Sequence, residues 1–155
     1  MSEPKGDHLF VNLGASRTRR RLKGFGHGVR QVQSAGRNQA VIIHTATGRH
    51  LRELEAKFAD VGFASRQRDL SEPIENLFNL GVNSGAWLRA VGIATIADLV
   101  RVGPVLAYRL VKQQQPKATL NLLWAMAAGL EGRNLVELSE AEKQPLRKQL
   151  AELGD

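Results

Sequence analysis

The chain has 155 residues, of which 43% are hydrophobic and none is cysteine. This length fits one domain or two small ones, and the lack of cysteine excludes disulfides, thiolate metal sites and a cysteine nucleophile. The net charge of +7 is unevenly distributed, because residues 1–70 have 13 basic and 6 acidic side chains whereas residues 71–155 have 9 of each. The excess favours a polyanionic partner, with a solvated basic face as the simpler alternative.

The sequence has no apolar run long enough to cross a bilayer, and its first ten residues lack the apolar core of a signal peptide. Absence of cysteine also fits a reducing compartment. We therefore expect a cytoplasmic protein without a membrane partner.

The densest positive charge lies between Arg17 and Lys23, where five of seven residues are basic: Arg17, Arg19, Arg20, Arg21 and Lys23. Because like charges this close together repel, the segment is predicted to be a solvated arm until an anion neutralises it. Together with Arg30 and Arg37, these side chains are the candidate contacts for nucleic-acid phosphates.

A β-hairpin followed by a helix is predicted after the arm. Residues Val29–Ser34 alternate with the period of a strand, and the β-branched segment Gln39–Thr45 is predicted to be the central strand. An apolar stripe predicts a helix over Arg49–Val61. Residues 1–63 are thus predicted to be a basic ββα unit with an arginine-rich arm, and residues 64–73 a linker. The open hairpin edge is a surface on which a homodimer can form by strand pairing.

Short helices joined by tight turns are predicted from residue 74 onwards. Gly81 ends an apolar run and Asn83 or Ser84 can cap the next helix, while Thr95 with Asp98 has the spacing of a capping box. Further helices are predicted over 104–114 and 119–130, the second one buried. Pro145 conflicts with a continuous last helix, which either begins or kinks there.

The turn from Asn79 to Ser84 is a candidate anion site. A glycine beside free helix N–H groups favours phosphate, although tight helical turns use glycine whatever they bind. The turn resembles the helix-hairpin-helix of DNA-binding proteins, in which it usually has the sequence Gly-x-Gly. Gly81 matches the second glycine, Asn79 replaces the first, and Asn83 lies where a basic residue is common. Gly81, Asn83 and Ser84 are therefore further candidates for nucleic-acid contact.

Residues 74–150 resemble the C-terminal domain of the TfoX/Sxy competence regulators. The matching positions are Leu80-Gly81, Ser84, Trp87-Leu88-Arg89-Ala90-Val91-Gly92-Ile93, Thr95, Asp98-Leu99, Gly103-Pro104-Val105, Ala107-Tyr108, Leu120-Asn121-Leu122-Leu123-Trp124-Ala125, Leu130 and Gly132-Arg133. The resemblance implies an all-α, helix-hairpin-helix-like domain over 74–155. It also implies transcriptional control of DNA uptake beside a promoter-bound activator. The first half does not resemble the usual N-terminal domain of those regulators.

Enzyme chemistry is not indicated. The four histidines, His8, His27, His44 and His50, are dispersed, and the sequence has neither a Gly-x-Ser-x-Gly motif nor clustered acids for a nuclease metal. We expect no catalytic residues, no cofactor and no metal.

These observations predict an α+β chain that acts as a non-enzymatic nucleic-acid-binding regulator. The resemblance makes it a DNA-binding transcriptional co-activator whose partner is duplex DNA, with RNA as an alternative if the arginine-rich arm folds on contact. The competing hypothesis is a protein-interaction adaptor that binds a transcription factor or an RNA polymerase subunit without touching DNA.

Overall fold

The protein is described by a computed structural model that covers residues 6–26 and 28–154. The chain divides into two compact units, Met1–Pro73 and Ile74–Asp155. An antiparallel sheet lies in the first unit, and the second is built of helices. The predicted α+β fold class, with a β unit before a helical region, is therefore confirmed.

The first unit contains a four-stranded sheet rather than a single hairpin. Its order is β2-β3-β1-β4, and every neighbouring pair is antiparallel. The strands are β1 (Asp7–Val11), β2 (Val29–Ser34), β3 (Ala40–His44) and β4 (Phe63–Ala64). The predicted hairpin forms β2 and β3. β1 pairs along the second edge of β3, and all five residues of β3 are buried.

Two helices, α1 (Ala15–Arg21) and α2 (Gly48–Ala56), accompany this sheet. The core contains Leu9, Val11, Val32, Ala40, Ile42, Leu54, Phe58 and Val61. These strand residues alternate along the sequence, so they lie on one face of the sheet. Helix α2 ends five residues before the predicted end at Val61, although Phe58 and Val61 still fill the core from the turns that follow.

Residues 64–73, which we expected to be a linker, are fastened to the sheet. Ala64 belongs to β4, and the Gln67 side-chain nitrogen donates to the Ala35 carbonyl at 2.6 Å. The Nδ2 of buried Asn12 donates to the Ser71 carbonyl at 2.7 Å. Asn12 Oδ1 also accepts from Gln39 Nε2 at 3.0 Å, so its whole amide is used to hold this segment and the hairpin together.

The second unit contains five α-helices among its described residues. They are α3 (Val82–Ala90), α4 (Ile96–Val102), α5 (Pro104–Gln114), α6 (Leu120–Leu130) and α7 (Glu140–Glu152). Seven of the eleven residues of α6 are buried, as its nearly continuous apolar sequence predicts. Its core partners include Leu88, Leu99 and Val111 from the three preceding helices.

The ends of these helices follow local sequence signals, with one exception. Thr95 and Asp98 form the predicted capping box, and Gly103, with φ 87°, ends α4 directly before Pro104 opens α5. At α3, however, Gly81 is the N-cap residue and no side chain caps the helix. Asn83 and Ser84 lie instead inside its first turn, so the predicted capping role for them is wrong.

The last helix does not begin at Pro145, which lies inside it. A capping box of Ser139 and Glu142 begins α7, which continues through Pro145 to Glu152. The proline removes one backbone donor and leaves the carbonyl four residues earlier unpaired. No residue of α7 is buried, so water can satisfy that carbonyl. Arg147 forms an ion pair at 2.9 Å with Glu140 of the same helix. Its guanidinium group also lies over the Trp124 ring of α6, which attaches α7 to that helix.

Candidate nucleic-acid interface

Helix α1 replaces the predicted solvated arm. Thr18 is buried and its hydroxyl donates to the Leu13 carbonyl at 3.1 Å, and Leu22, one turn later, lies in the core. Residues four apart share one face of a helix, so this pair attaches α1 to the unit while the arginines between and around it remain outside. The like-charge repulsion that we expected to unfold this segment is partly offset by contacts of two of its arginines.

Arg21 is bound to the segment that follows α2. Its two terminal nitrogens donate to the two Asp60 carboxylate oxygens at 2.7 and 2.9 Å, and Nη1 also donates to the Lys57 carbonyl at 2.8 Å. The guanidinium lies over the Phe58 ring, 5.7 Å from its centre. The hydrogen bond to Asp60 raises the pKa of the Arg21 guanidinium above its ordinary value. Arg21 is therefore a clamp whose charge is compensated.

Arg19 is bound to the edge strand of the sheet. Its Nη2 donates to the Val32 carbonyl at 2.8 Å. Ala35 bonds to Gln39 across the hairpin, and because bonded and non-bonded pairs alternate, the carbonyl of Val32 points away from β3 towards the free edge. Arg19 thus occupies an acceptor that a homodimer formed by strand pairing would need.

Arg17 and Arg20 are the two uncommitted arginines of α1. Both are exposed, and neither guanidinium group makes a hydrogen bond or an ion pair with any other residue that the structure describes. Three residues apart, they lie on one side of the helix. They line an open cleft of about 350 Å³ together with Leu13 and Arg21. The cleft therefore presents two free guanidinium groups beside a third that is fixed in place.

The other predicted basic contacts are distributed around α1. Lys23 is exposed just beyond the end of the helix. Arg30 is exposed on β2 at an irregularity between Val29 and Gln31, where one extra residue interrupts the pairing with β3. Arg37 is exposed in the turn between β2 and β3. Because Arg19 reaches Val32, the structure brings α1 beside the strand that carries Arg30.

The turn from Asn79 to Ser84 in the second unit, which we call the glycine turn, is held mainly by Asn79. This residue has φ 79°, and its Nδ2 donates to the carbonyls of Ala125 and Arg133 at 3.2 and 2.8 Å, while Oδ1 accepts from the Leu135 N–H at 3.3 Å. Asn79 thus takes the place of the first glycine and adds bonds to α6 and to the segment after it. Gly81 is extended, and a Cβ added there would meet nothing within 4 Å.

Gly81 and Asn83 are exposed and Ser84 is half-buried, so the start of α3 is open to solvent. The α3 backbone bonds begin with the Gly85 N–H donating to the Gly81 carbonyl at 2.9 Å, which leaves the N–H groups of the first turn pointing outward. The three residues predicted here therefore lie in the second unit, and the predicted basic contacts all lie in the first.

Comparison with known proteins identifies the second unit. Residues 70–150 match the model of the TfoX C-terminal domain. The chain belongs to this family. DNA transformation protein TfoX from Haemophilus influenzae is 34% identical to it over 80 residues, which are 52% of this chain and 37% of that protein. The chain thus covers well under half the length of this curated relative. No solved structure matches the chain.

The second unit, which we call the TfoX-type unit, also exposes two apolar side chains that lie on either side of Gly81 in the sequence. Phe78 is 50% exposed and Val82 is 71% exposed. Gly129 on α6 packs against the backbone of Phe78, so the ring is held at the surface by a buried contact below it. Both side chains are thus accessible to another macromolecule.

The described residues contain no group of three or more His, Asp or Glu side chains placed to hold a metal ion. His27, one of the four histidines considered from the sequence, lies outside the described residues. No helix in the described part of the chain is both long and apolar enough to cross a membrane.

Proposed function

We propose that this TfoX-family chain is a non-enzymatic regulator that binds duplex DNA and acts as a transcriptional co-activator. The observation that carries the proposal is the pair of exposed arginines Arg17 and Arg20, without partners in the described structure, on a helix that is itself fixed to the unit. Free guanidinium groups on a rigid element are suited to contact phosphates, because little side-chain and backbone order must be created on binding.

The four arginines of α1 divide into two roles in this proposal. Arg17 and Arg20 contact the phosphate backbone, whereas Arg19 and Arg21 hold α1 against β2 and against Asp60. Lys23, Arg30 and Arg37 extend the positive surface and strengthen its attraction to the phosphates of DNA of any sequence. Gly81, Asn83 and Ser84 at the start of α3 supply a further phosphate contact from backbone N–H groups.

Family membership supports the regulatory part of the proposal. A relative that shares the second unit is named a DNA transformation protein, which favours a regulatory role in DNA transformation, and we propose that the chain acts in the cytoplasm. Because the match covers only 37% of that relative, the proposed role is that of the shared second unit. The basic first unit supplies the DNA attraction, and the TfoX-type unit supplies the contact with the transcription machinery.

The test is a fluorescence anisotropy titration of the full chain with a labelled random-sequence duplex at low salt. We expect the double variant R17A/R20A to bind about 10-fold or more weakly, since each lost phosphate contact removes attraction to any sequence. The matched control is R52A/R68A, which removes the same charge from two exposed arginines elsewhere in the unit. Equal affinities of the two double variants would contradict the proposal. Competition with structured RNA tests whether duplex DNA is preferred.

A protein-interaction adaptor is the second candidate, and the exposed Phe78 and Val82 favour it. In this case the TfoX-type unit binds a transcription factor or an RNA polymerase subunit through these side chains, and the protein does not contact DNA. A pull-down repeated after nuclease treatment separates the two functions, because adaptor binding survives nuclease and bridging through DNA does not. Light scattering of the purified chain decides whether it is a homodimer.

A further inference from the structure

The last helix, α7, is the least buried of the α-helices described in the second unit. None of its 13 residues is buried, whereas α3, α4, α5 and α6 each have at least one buried residue. Its apolar contact with the core comes from Leu146 and Leu150, which are half-buried and lie one turn apart. Segments with few buried apolar contacts open at a lower free energy than the core beside them. The apolar attachment of α7 is therefore small.

Two basic side chains of α7 attach it to α6 through one aromatic ring. The Lys143 ammonium and the Arg147 guanidinium lie 5.3 and 5.2 Å from the centre of the Trp124 ring. Trp124 is 5% exposed, so its ring is nearly covered while α7 is in place. The side chains of Lys143 and Arg147 are 23% and 38% exposed, and cation–π contacts at partly exposed positions are individually weak.

Polar contacts at the surface attach the two ends of α7. In its first turn, Glu142 pairs with Arg133 at 2.5 Å, and these side chains are 39% and 30% exposed. At the other end, Arg109 donates to the carbonyl of Leu153, the residue directly after the helix. Ion pairs between partly exposed side chains contribute much less than buried core contacts, because water competes for both charges. These contacts therefore orient α7 without joining it firmly to the core.

The sequence of α7 does not support a helix that is stable by itself. Helices of about this length are marginal in water unless they pack against a core. Pro145 weakens this one further, because it lacks the N–H group that would bond to the Ala141 carbonyl. The capping box of Ser139 and Glu142 supports only the first turn. Once α7 leaves the core, its helical structure is therefore expected to be lost as well.

We propose that α7 is a detachable cover, which undocks and unwinds as one element while α3 to α6 stay folded. Opening removes Lys143 and Arg147 from the Trp124 ring and separates Leu146 and Leu150 from the core. The helix thereby controls access to the Trp124 ring. The proposed DNA contacts lie on other elements of the chain, so this opening does not depend on them.

The experiment measures amide hydrogen exchange of the full chain, residue by residue, in ¹⁵N-correlated NMR spectra. After division by the intrinsic exchange rates, the hydrogen-bonded amides of α7 should share one opening constant, because they open together. We expect this constant to be at least about 10-fold larger than those of the α6 amides. The double variant K143A/R147A should raise it by about 10-fold, since both contacts with the Trp124 ring are lost, and should leave the α6 amides less affected.

Two further variants complete the test. Q144A/K148A replaces two exposed residues of α7 that have the same spacing, and it should change the opening constant by less than about 2-fold. Pro145→Ala restores the missing backbone bond and should lower the constant by about 10-fold or more. The inference is overturned if the α7 amides open no more readily than those of α6, or if their protection only decreases towards the helix ends, as in fraying. It is also overturned if Q144A/K148A acts as strongly as K143A/R147A, or if Pro145→Ala has no effect.

Discussion

Replacement of Asp60 by Asn tests the clamp that holds α1 in place. The change keeps the size of the side chain but removes the charge of the carboxylate. The two oxygens of this carboxylate accept hydrogen bonds from the two terminal nitrogens of Arg21 at 2.7 and 2.9 Å. Arg21 retains its bond to the Lys57 carbonyl and its contact with the Phe58 ring. The variant therefore isolates the ion pair from the other contacts of the guanidinium.

The size of the effect follows from exposure. Charge-assisted hydrogen bonds contribute about 1.5–3 kcal/mol when shielded, but the side chains of Arg21 and Asp60 are 36% and 62% exposed. Exposed pairs contribute about 0–1 kcal/mol, and the two-bond geometry puts this pair at the upper end. We expect Asp60→Asn to lower the free energy of unfolding by about 1 kcal/mol. For a unit of this size that is about 4–8 °C in Tm.

The assay is a double-mutant cycle of Asp60→Asn, Arg21→Ala and the pair, measured by chemical denaturation at low salt. The same variants are then titrated with duplex DNA. Asp60→Asn removes one negative charge and leaves the Arg21 guanidinium in place but uncompensated, in the same cleft as Arg17 and Arg20, so DNA binding should tighten and the salt dependence should steepen by about 0.9. Additivity of the two substitutions within about 0.3–0.5 kcal/mol would refute the clamp.

Three further predictions concern the second unit. The hydrogen bond from Arg133, at 2.5 Å, lowers the pKa of the Glu142 carboxyl to about 2. Because this pKa is lower in the folded protein than its ordinary 4.5, the stabilisation is present above pH 4.5 and lost as the pH falls towards 2; a carboxyl NMR titration with a midpoint near 4.5 would contradict it. Gly129→Ala places a Cβ against the Phe78 backbone and should cost about 1–3 kcal/mol in chemical denaturation, whereas Gly81→Ala, with open space around it, should cost under about 1 kcal/mol; equal losses would contradict this packing. Asn79→Ala should destabilise by about 1 kcal/mol more than Asn79→Gly, since both lose the same hydrogen bonds but only glycine adopts φ 79° without strain, and the reverse order in thermal melts would be contrary to this account.

Features that depend on neighbouring residues could be predicted from the sequence. The β2–β3 hairpin, the Thr95 capping box and the start of α5 at Pro104 each have their signal within a few positions. Family resemblance also indicated the nature of the second unit, because its matching positions keep their order along the chain.

Features that depend on distant contacts could not be predicted. Arg21 and Asp60 are 39 residues apart, and no local pattern pairs them. The repulsion argument for α1 overlooked that Thr18 and Leu22 have helical spacing and both face the core. The segment 64–73 is polar like a linker, yet Asn12 and Ala35 bind it from distant positions. At the glycine turn, the role of Asn79 rests on partners 46 to 56 residues away.

The salt dependence of DNA binding tests the central claim most directly. If Arg17 and Arg20 each neutralise one phosphate, the slope of log K against log salt should be shallower by about 1.8 in R17A/R20A than in the unaltered chain. R52A/R68A should keep the original slope. An unchanged slope in R17A/R20A, or no binding of the unaltered chain to duplex DNA in dilute buffer, would contradict the account.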